Sequence, residues 1–221
     1  MLFALGQPIA LVGLLIGFAV ALLLRAVVQH ALAGRGRMAM RRAALFDHRR
    51  DIDPFGVVAG VLGGTGWGRK APEGADGRPR LAVLWAGPVS VLIASQLAFL
   101  VFRLIGGDAG ALRVYFVSDI VYGGIPGSAL TQFFLSFAVG LLCFGLVALV
   151  PLPPLDGWGL VARRAGPRPG TGFAKAQFWL EEKNVGVAVL LFGFIIPLAG
   201  GLPLFLFLLN AVATPVMRLW A

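Results

Sequence analysis

The chain has 221 residues, 58% of them hydrophobic and 13% charged, with a mean hydropathy of +0.87. Soluble domains are about 45–50% apolar and about 25% charged, so this composition excludes an ordinary soluble globule. The net charge of +9 does not argue for nucleic acid, because the basic residues sit in loops beside apolar runs and there report membrane orientation.

In chain order, the first apolar run covers about residues 9–33. It is too long for a signal-peptide core and no basic segment precedes it, so a retained first span is expected. The stretch from Gly34 to Arg80 is polar, Gly-rich and basic. Inside it, Phe55 to Gly66 is apolar but too short to cross, and reads as a re-entrant or interfacial piece. A second span is expected over about 81–105 and a third over about 129–150. A basic stretch, about 161–183, leads into a last apolar region that Pro197, Gly200, Gly201 and Pro203 interrupt. Spans of about 185–197 and 202–219 with a break between them follow, since Pro removes a backbone donor and clashes with the preceding turn. The whole reads as one membrane domain, an all-α bundle of roughly four to six segments of about 20 residues each, with a re-entrant or short β element in its first cytoplasmic loop.

Ten of the 19 Lys and Arg fall between Gly34 and Arg80 and five between Arg163 and Lys183, whereas Gly106 to Pro126 carries only Arg113 against Asp108 and Asp119. The positive-inside rule then places both basic loops in the cytoplasm. His30 and Asp156 come to the same cytoplasmic depth. An ionisable residue at the edge of the hydrocarbon is costly and needs a partner. Asp156 lies in Pro151-Leu152-Pro153-Pro154-Leu155-Asp156-Gly157, where a turn or a helix-cap role is expected. Arg25, buried in the first span, must pair or snorkel. An Arg25–Asp156 or His30–Asp156 contact would form a polar lock between the first and third spans.

Five phrases, in order, resemble the site-2 protease family of intramembrane zinc metalloproteases, in particular its small bacterial members without a PDZ domain. Ala26-Val27-Val28-Gln29-His30 occupies the place of HExxH. Asp51-Ile52-Asp53-Pro54-Phe55-Gly56 stands for HIDPxG, and Gly66-Trp67-Gly68-Arg69-Lys70-Ala71-Pro72 for GWxKP. Ala86-Gly87-Pro88-Val89-Ser90-Val91 matches AGPxxN, and Ala148 to Gly157 matches NLxPxPPLDG. The resemblance implies a multi-pass protein of the bacterial cell (inner) membrane.

The departures are chemical. Ala26 replaces the first zinc-binding His, Val27 the catalytic Glu, Asp51 the loop His, and Val91 and Ala148 the two motif asparagines. His30 and Asp156 remain as remnant ligands. A catalytic zinc takes three protein ligands and an open position, and hydrolysis needs a base near the bound water. The chain therefore reads as a degenerate member with no catalytic residues at the motif positions. No cofactor is expected, although zinc stays open. The expected role is a pseudoprotease that scaffolds, or serves as accessory subunit to, a partner membrane protein through that partner's transmembrane segment. Trp67, Arg69 and Lys70 are the expected contact loop.

Two alternatives remain. One is an active protease using His30, Asp156 and His48 or Asp51. The other is a transport subunit with Arg25, His30 and Asp156 as a polar relay, for which Asp119 is the only outer candidate. His48, in Asp47-His48-Arg49-Arg50, reads as part of a solvated charged run, and Asp51 and Asp53 as turn residues beside Pro54. Trp67, Trp158 and Trp179 read as an aromatic belt. Gly13, Gly17 and Ala21 allow close approach of another helix. Cys143, the single cysteine, reads as a packing residue.

Overall fold

The computed structural model describes residues 1–33, 46–73, 77–166, 172–199 and 201–221. Seven helices carry the architecture: α1 (Pro8–Ala33), α2 (Pro54–Gly63), α3 (Leu81–Leu104), α4 (Ala129–Ala148), α5 (Asp156–Ala165), α6 (Val185–Ile195) and α7 (Leu204–Arg218). Shorter helical turns connect them. Among the described residues, α1, α3 and α4 are long and apolar enough to cross a membrane. At 1.5 Å per residue, α1 reaches about 39 Å against a hydrocarbon core of about 30 Å. The chain is a membrane protein, and its fold is a predominantly helical bundle.

Helix α4 is the centre of that bundle. Leu135, Ala138, Val139, Leu141, Leu142, Cys143 and Phe144 along it are all buried. Small residues let α1 come close. A Cβ on Gly13 would stand 2.6 Å from the Phe133 carbonyl oxygen, and one on Gly17 would stand 2.9 Å from that of Phe137. The small-residue stripe of α1 is thus spent on α4 of the same chain. On the other side, Ser95 Oγ of α3 donates to the Ala138 carbonyl at 2.9 Å. A membrane core offers no water to such groups, so interhelical bonds of this kind satisfy them.

The final apolar region folds as a helical hairpin. Helix α6 is 11 residues long and α7 is 15, so at 1.5 Å per residue both fall short of the ~30 Å core. Between them, Pro197–Ala199 pairs antiparallel with Leu202–Pro203. For the first basic loop the expectation is a re-entrant or short β element. There, among the described residues, the only β feature is the isolated bridge Ile52–Gly68, and the apolar piece is helix α2. The reason is local: Asp53 caps α2 by accepting from the Phe55 amide at 2.9 Å, Pro54 starts it, and Gly64 ends it at φ 89°. Asp156, where a turn or a helix-cap role is expected, is the first residue of α5, which runs on to Ala165.

Helix α7 docks through polar residues. Asn210 Oδ1 accepts from the Ser118 amide at 2.8 Å, and Thr214 Oγ1 accepts from the Val117 amide at 3.3 Å. These amides belong to the first turn of the short helix Val117–Tyr122 and have no partner within it. Asn210 Nδ2 also donates to Ser118 Oγ at 2.8 Å.

Candidate functional site

The site forms where α1, the start of α5, the start of α3 and the loop from Asp51 to Lys70 meet. The turn Pro151–Leu155 reverses the chain after α4 and contains a cis Pro153–Pro154 bond. Gly157 makes the reversal fit. A Cβ there would lie 2.1 Å from the Leu149 carbonyl oxygen and 2.6 Å from that of Val150. Leu155, not Asp156, holds the cap position, and Asp156 is the first residue of α5. Its carboxylate does not serve as the expected cap because a stronger partner takes it.

That partner is Arg25. Its Nε donates to Asp156 Oδ2 at 2.7 Å and its Nη2 to Oδ1 at 2.6 Å, a bidentate pair. Arg25 is 5% exposed and Asp156 1%. The planar guanidinium fork suits two carboxylate oxygens at once. The start of a helix also favours negative charge.

Two motif glycines shape the space around Arg25. A Cβ on Gly68 would stand 3.0 Å from Arg25 Nη1 and 3.1 Å from the Asp51 carbonyl oxygen. One on Gly87 would stand 2.6 Å from Gln29 Nε2 and 2.9 Å from Arg25 Cγ. Gln29, itself buried, donates to the Val83 carbonyl at 3.3 Å. The guanidinium stem is therefore enclosed by α1, α3 and the loop.

His30 does not reach this pair. Its Nε2 lies 2.8 Å from Asp51 Oδ1. Asp51 also accepts from the Asp47 amide at 2.8 Å and from Arg50 Nε at 3.1 Å. Burial opposes ionisation of Asp51, but the bonds from Arg50, the Asp47 backbone and His30 outweigh it and hold the carboxyl below the usual carboxylate range. Asp51 ends the single helical turn His48–Asp51 and is in addition a buried acceptor joining the loop to the end of α1. His48 stays outside, with a side chain 73% exposed and 3.7 Å from Asp47.

The tryptophans also need correction. Trp67 is 1% exposed, and its Nε1 donates to Asp53 Oδ2 at 2.9 Å. It is an internal prop under the loop, so neither the belt role nor a partner contact is open to it. Arg69 and Lys70 beside it are exposed. Trp158 is buried, stacks on Phe173 at 5.7 Å, and donates from Nε1 to Glu181 Oε1. Glu181 also accepts from Lys70 Nζ at 3.1 Å, tying the segment 172–182 to the loop. Trp179, at 59% exposed, is the one of the three left on the surface. Asp119 accepts from the Phe116 amide at 2.8 Å and closes its own short helix.

This donor set does not fit a catalytic zinc. Ala26 and Val27 offer no lone pair. Both oxygens of Asp156 already accept from a cation, which repels a second one. His30 Nε2 faces Asp51. Among the described residues, no three His, Cys, Asp or Glu side chains come together to hold a metal ion, so His30, Asp156 and His48 or Asp51 form no ligand group. What the arrangement does chemically is neutralise two buried charges and fix α1 to α5.

Over 154 residues the chain is 30% identical to a protein of Bacillus subtilis (strain 168) named "Putative zinc metalloprotease YwhC". The alignment covers 67% of this chain and 63% of that protein, so the chain spans less than two thirds of its relative's length. No family model matches the chain, and no solved structure matches it.

Proposed function

We propose that this chain is a degenerate site-2 protease-like protein of the cell membrane, with an ion pair where the family has zinc, and that it binds a partner's transmembrane segment without cutting it. One observation carries the reading: Arg25 takes both oxygens of Asp156 at 2.6–2.7 Å, one residue before Ala26 and two before Val27. The motif carboxylate is thereby engaged by a guanidinium, and the position of the family's base holds an isopropyl group. A water there has neither a metal to acidify it nor a base to take its proton. The scaffold that shapes a transmembrane-segment site is retained in the glycine and proline phrases. The basic loops, carrying Arg69 and Lys70, face the cytoplasm in this reading. The role is that of a scaffold or accessory subunit.

The name of the Bacillus relative favours the second reading, an active metalloprotease with other ligands. Co-reconstituting the purified chain with a panel of single-span membrane proteins, with and without added zinc, separates the two. Binding of uncut segments by the parent chain, unchanged by zinc, supports the proposal. Zinc-dependent cleavage that Asp156→Asn abolishes contradicts it.

A further inference from the structure

Helices α2 and α6 touch at one end and part at the other. A Cβ on Gly63 would stand 2.8 Å from the Phe194 carbonyl oxygen, so the two backbones are in contact there. Toward their starts they open into a groove of about 610 Å³. Its wall is apolar: Phe55, which is 56% exposed, with Val187, Ala188 and Leu191. Its mouth is basic, with Arg50, Arg69 and Lys70 against the single carboxylate of Asp53.

These charges are not equally committed. Arg50 pairs with Asp51 at 3.1 Å and Lys70 with Glu181 at 3.1 Å, while Asp53 accepts from Trp67 and from the Phe55 amide. Arg69 donates from Nε to the Ile52 carbonyl at 3.1 Å and, among the described residues, pairs with no carboxylate. A fixed positive charge is therefore presented beside an apolar slot that opens between helices of a membrane protein.

We propose that this groove holds an anionic phospholipid, its phosphate on Arg69 with Lys70 and Arg50 around it and an acyl chain along Phe55, Val187 and Leu191. A basic pocket between helices at the membrane surface recognises anionic head groups in this way, and the apolar wall gains by covering a chain. A free anion would use the charge and leave the wall bare, and a zwitterionic lipid would use the wall and gain little from the charge. Neither Arg25 nor Asp156 lines the groove, which adjoins their site through Pro154 and the loop that carries Arg69 and Lys70.

The test uses the full chain, purified in detergent. Phosphatidylglycerol, phosphatidylcholine and inorganic phosphate are titrated separately, with thermal stability and the bound lipid in native mass spectra as readouts. Phosphatidylglycerol is expected to be retained and to raise Tm, with phosphatidylcholine and phosphate giving neither. Arg69→Gln, at an exposed position, should bind phosphatidylglycerol about fivefold more weakly. Leu191→Trp, which fills the slot, should block retention with the charges intact. Either variant is scored only where its lipid-free Tm matches the parent, and the other decides if one does not fold. Equal retention of phosphatidylcholine, an equal Tm response to phosphate, or unchanged binding in the folded variants overturns the proposal. Displacement of the lipid by a transmembrane peptide of a partner, at equal or higher affinity, overturns it in favour of a protein occupant.

Discussion

Arg25 and Asp156, separated by 131 residues in sequence, meet through two parallel hydrogen bonds of 2.7 and 2.6 Å inside the protein. Removing one partner of a buried pair leaves an unpaired charge and costs about 3–5 kcal/mol, whereas removing both together costs far less. Arg25→Leu and Asp156→Leu should each lower Tm sharply. The double variant should be more stable than the sum of the two losses implies, with a coupling above about 1 kcal/mol. Thermal unfolding of the four proteins in one detergent checks this, and additive losses would show that the residues act separately.

The glycines around Arg25 give a sharper steric prediction. In an exposed helix interior, Gly→Ala is favourable by about 1 kcal/mol. At Gly87, within α3, the new Cβ would stand 2.6 Å from Gln29 Nε2 and 2.9 Å from Arg25 Cγ, so Gly87→Ala should be destabilising by about 1–3 kcal/mol. Gly77, where a Cβ meets nothing within 4 Å but φ is +69°, is a poor control for sterics. Gly172, which meets nothing and lacks that φ, is the proper one, and Gly172→Ala should be neutral or mildly stabilising. Paired melts of the two variants decide the point.

Asp51 predicts acid sensitivity. Its carboxyl is held below the usual range in the folded chain, so the unfolded chain binds the proton more readily. Its contribution to stability is then fully present above the unfolded value of about 3.9 and is lost as pH falls through the lower folded value. The Tm difference between the parent and Asp51→Asn should stay constant from neutral pH down to about pH 4 and shrink below it. A difference that grew on acidification would refute this assignment.

Glu181 ties Trp158, Lys70 and Gln177 together. Because it is partly exposed, Glu181→Gln should cost no more than about 1 kcal/mol of global stability. It should nevertheless raise protease nicking between 172 and 182 and shift the emission of the indole of Trp158. Unchanged nicking would mean that packing, rather than the carboxylate, holds this segment.

How much of this was legible follows from what each feature depends on. The apolar runs behind α1, α3 and α4 are long enough to be read directly, since length and hydropathy alone define such helices. Arg25 and Asp156 stand out as lone charges in apolar surroundings, where each requires a partner. The His30–Asp51 bond was not readable, because it depends on how the loop folds back, and no local pattern encodes that path. Trp67 misled for a related reason: an indole near a span end looks the same in sequence whether it faces lipid or, as here, Asp53. Asn210 and Thr214 did carry a signal. Polar residues inside an otherwise apolar helix need hydrogen-bond partners, and here they cap the helix Val117–Tyr122.

The central claim, that an ion pair stands where a zinc centre would be, is tested most directly by the zinc content of the purified chain beside His30→Ala and Asp156→Asn. The account predicts zinc far below one per chain in all three proteins, with no difference among them. One zinc per chain, lost in both variants, would contradict it and return His30 and Asp156 to the role of ligands.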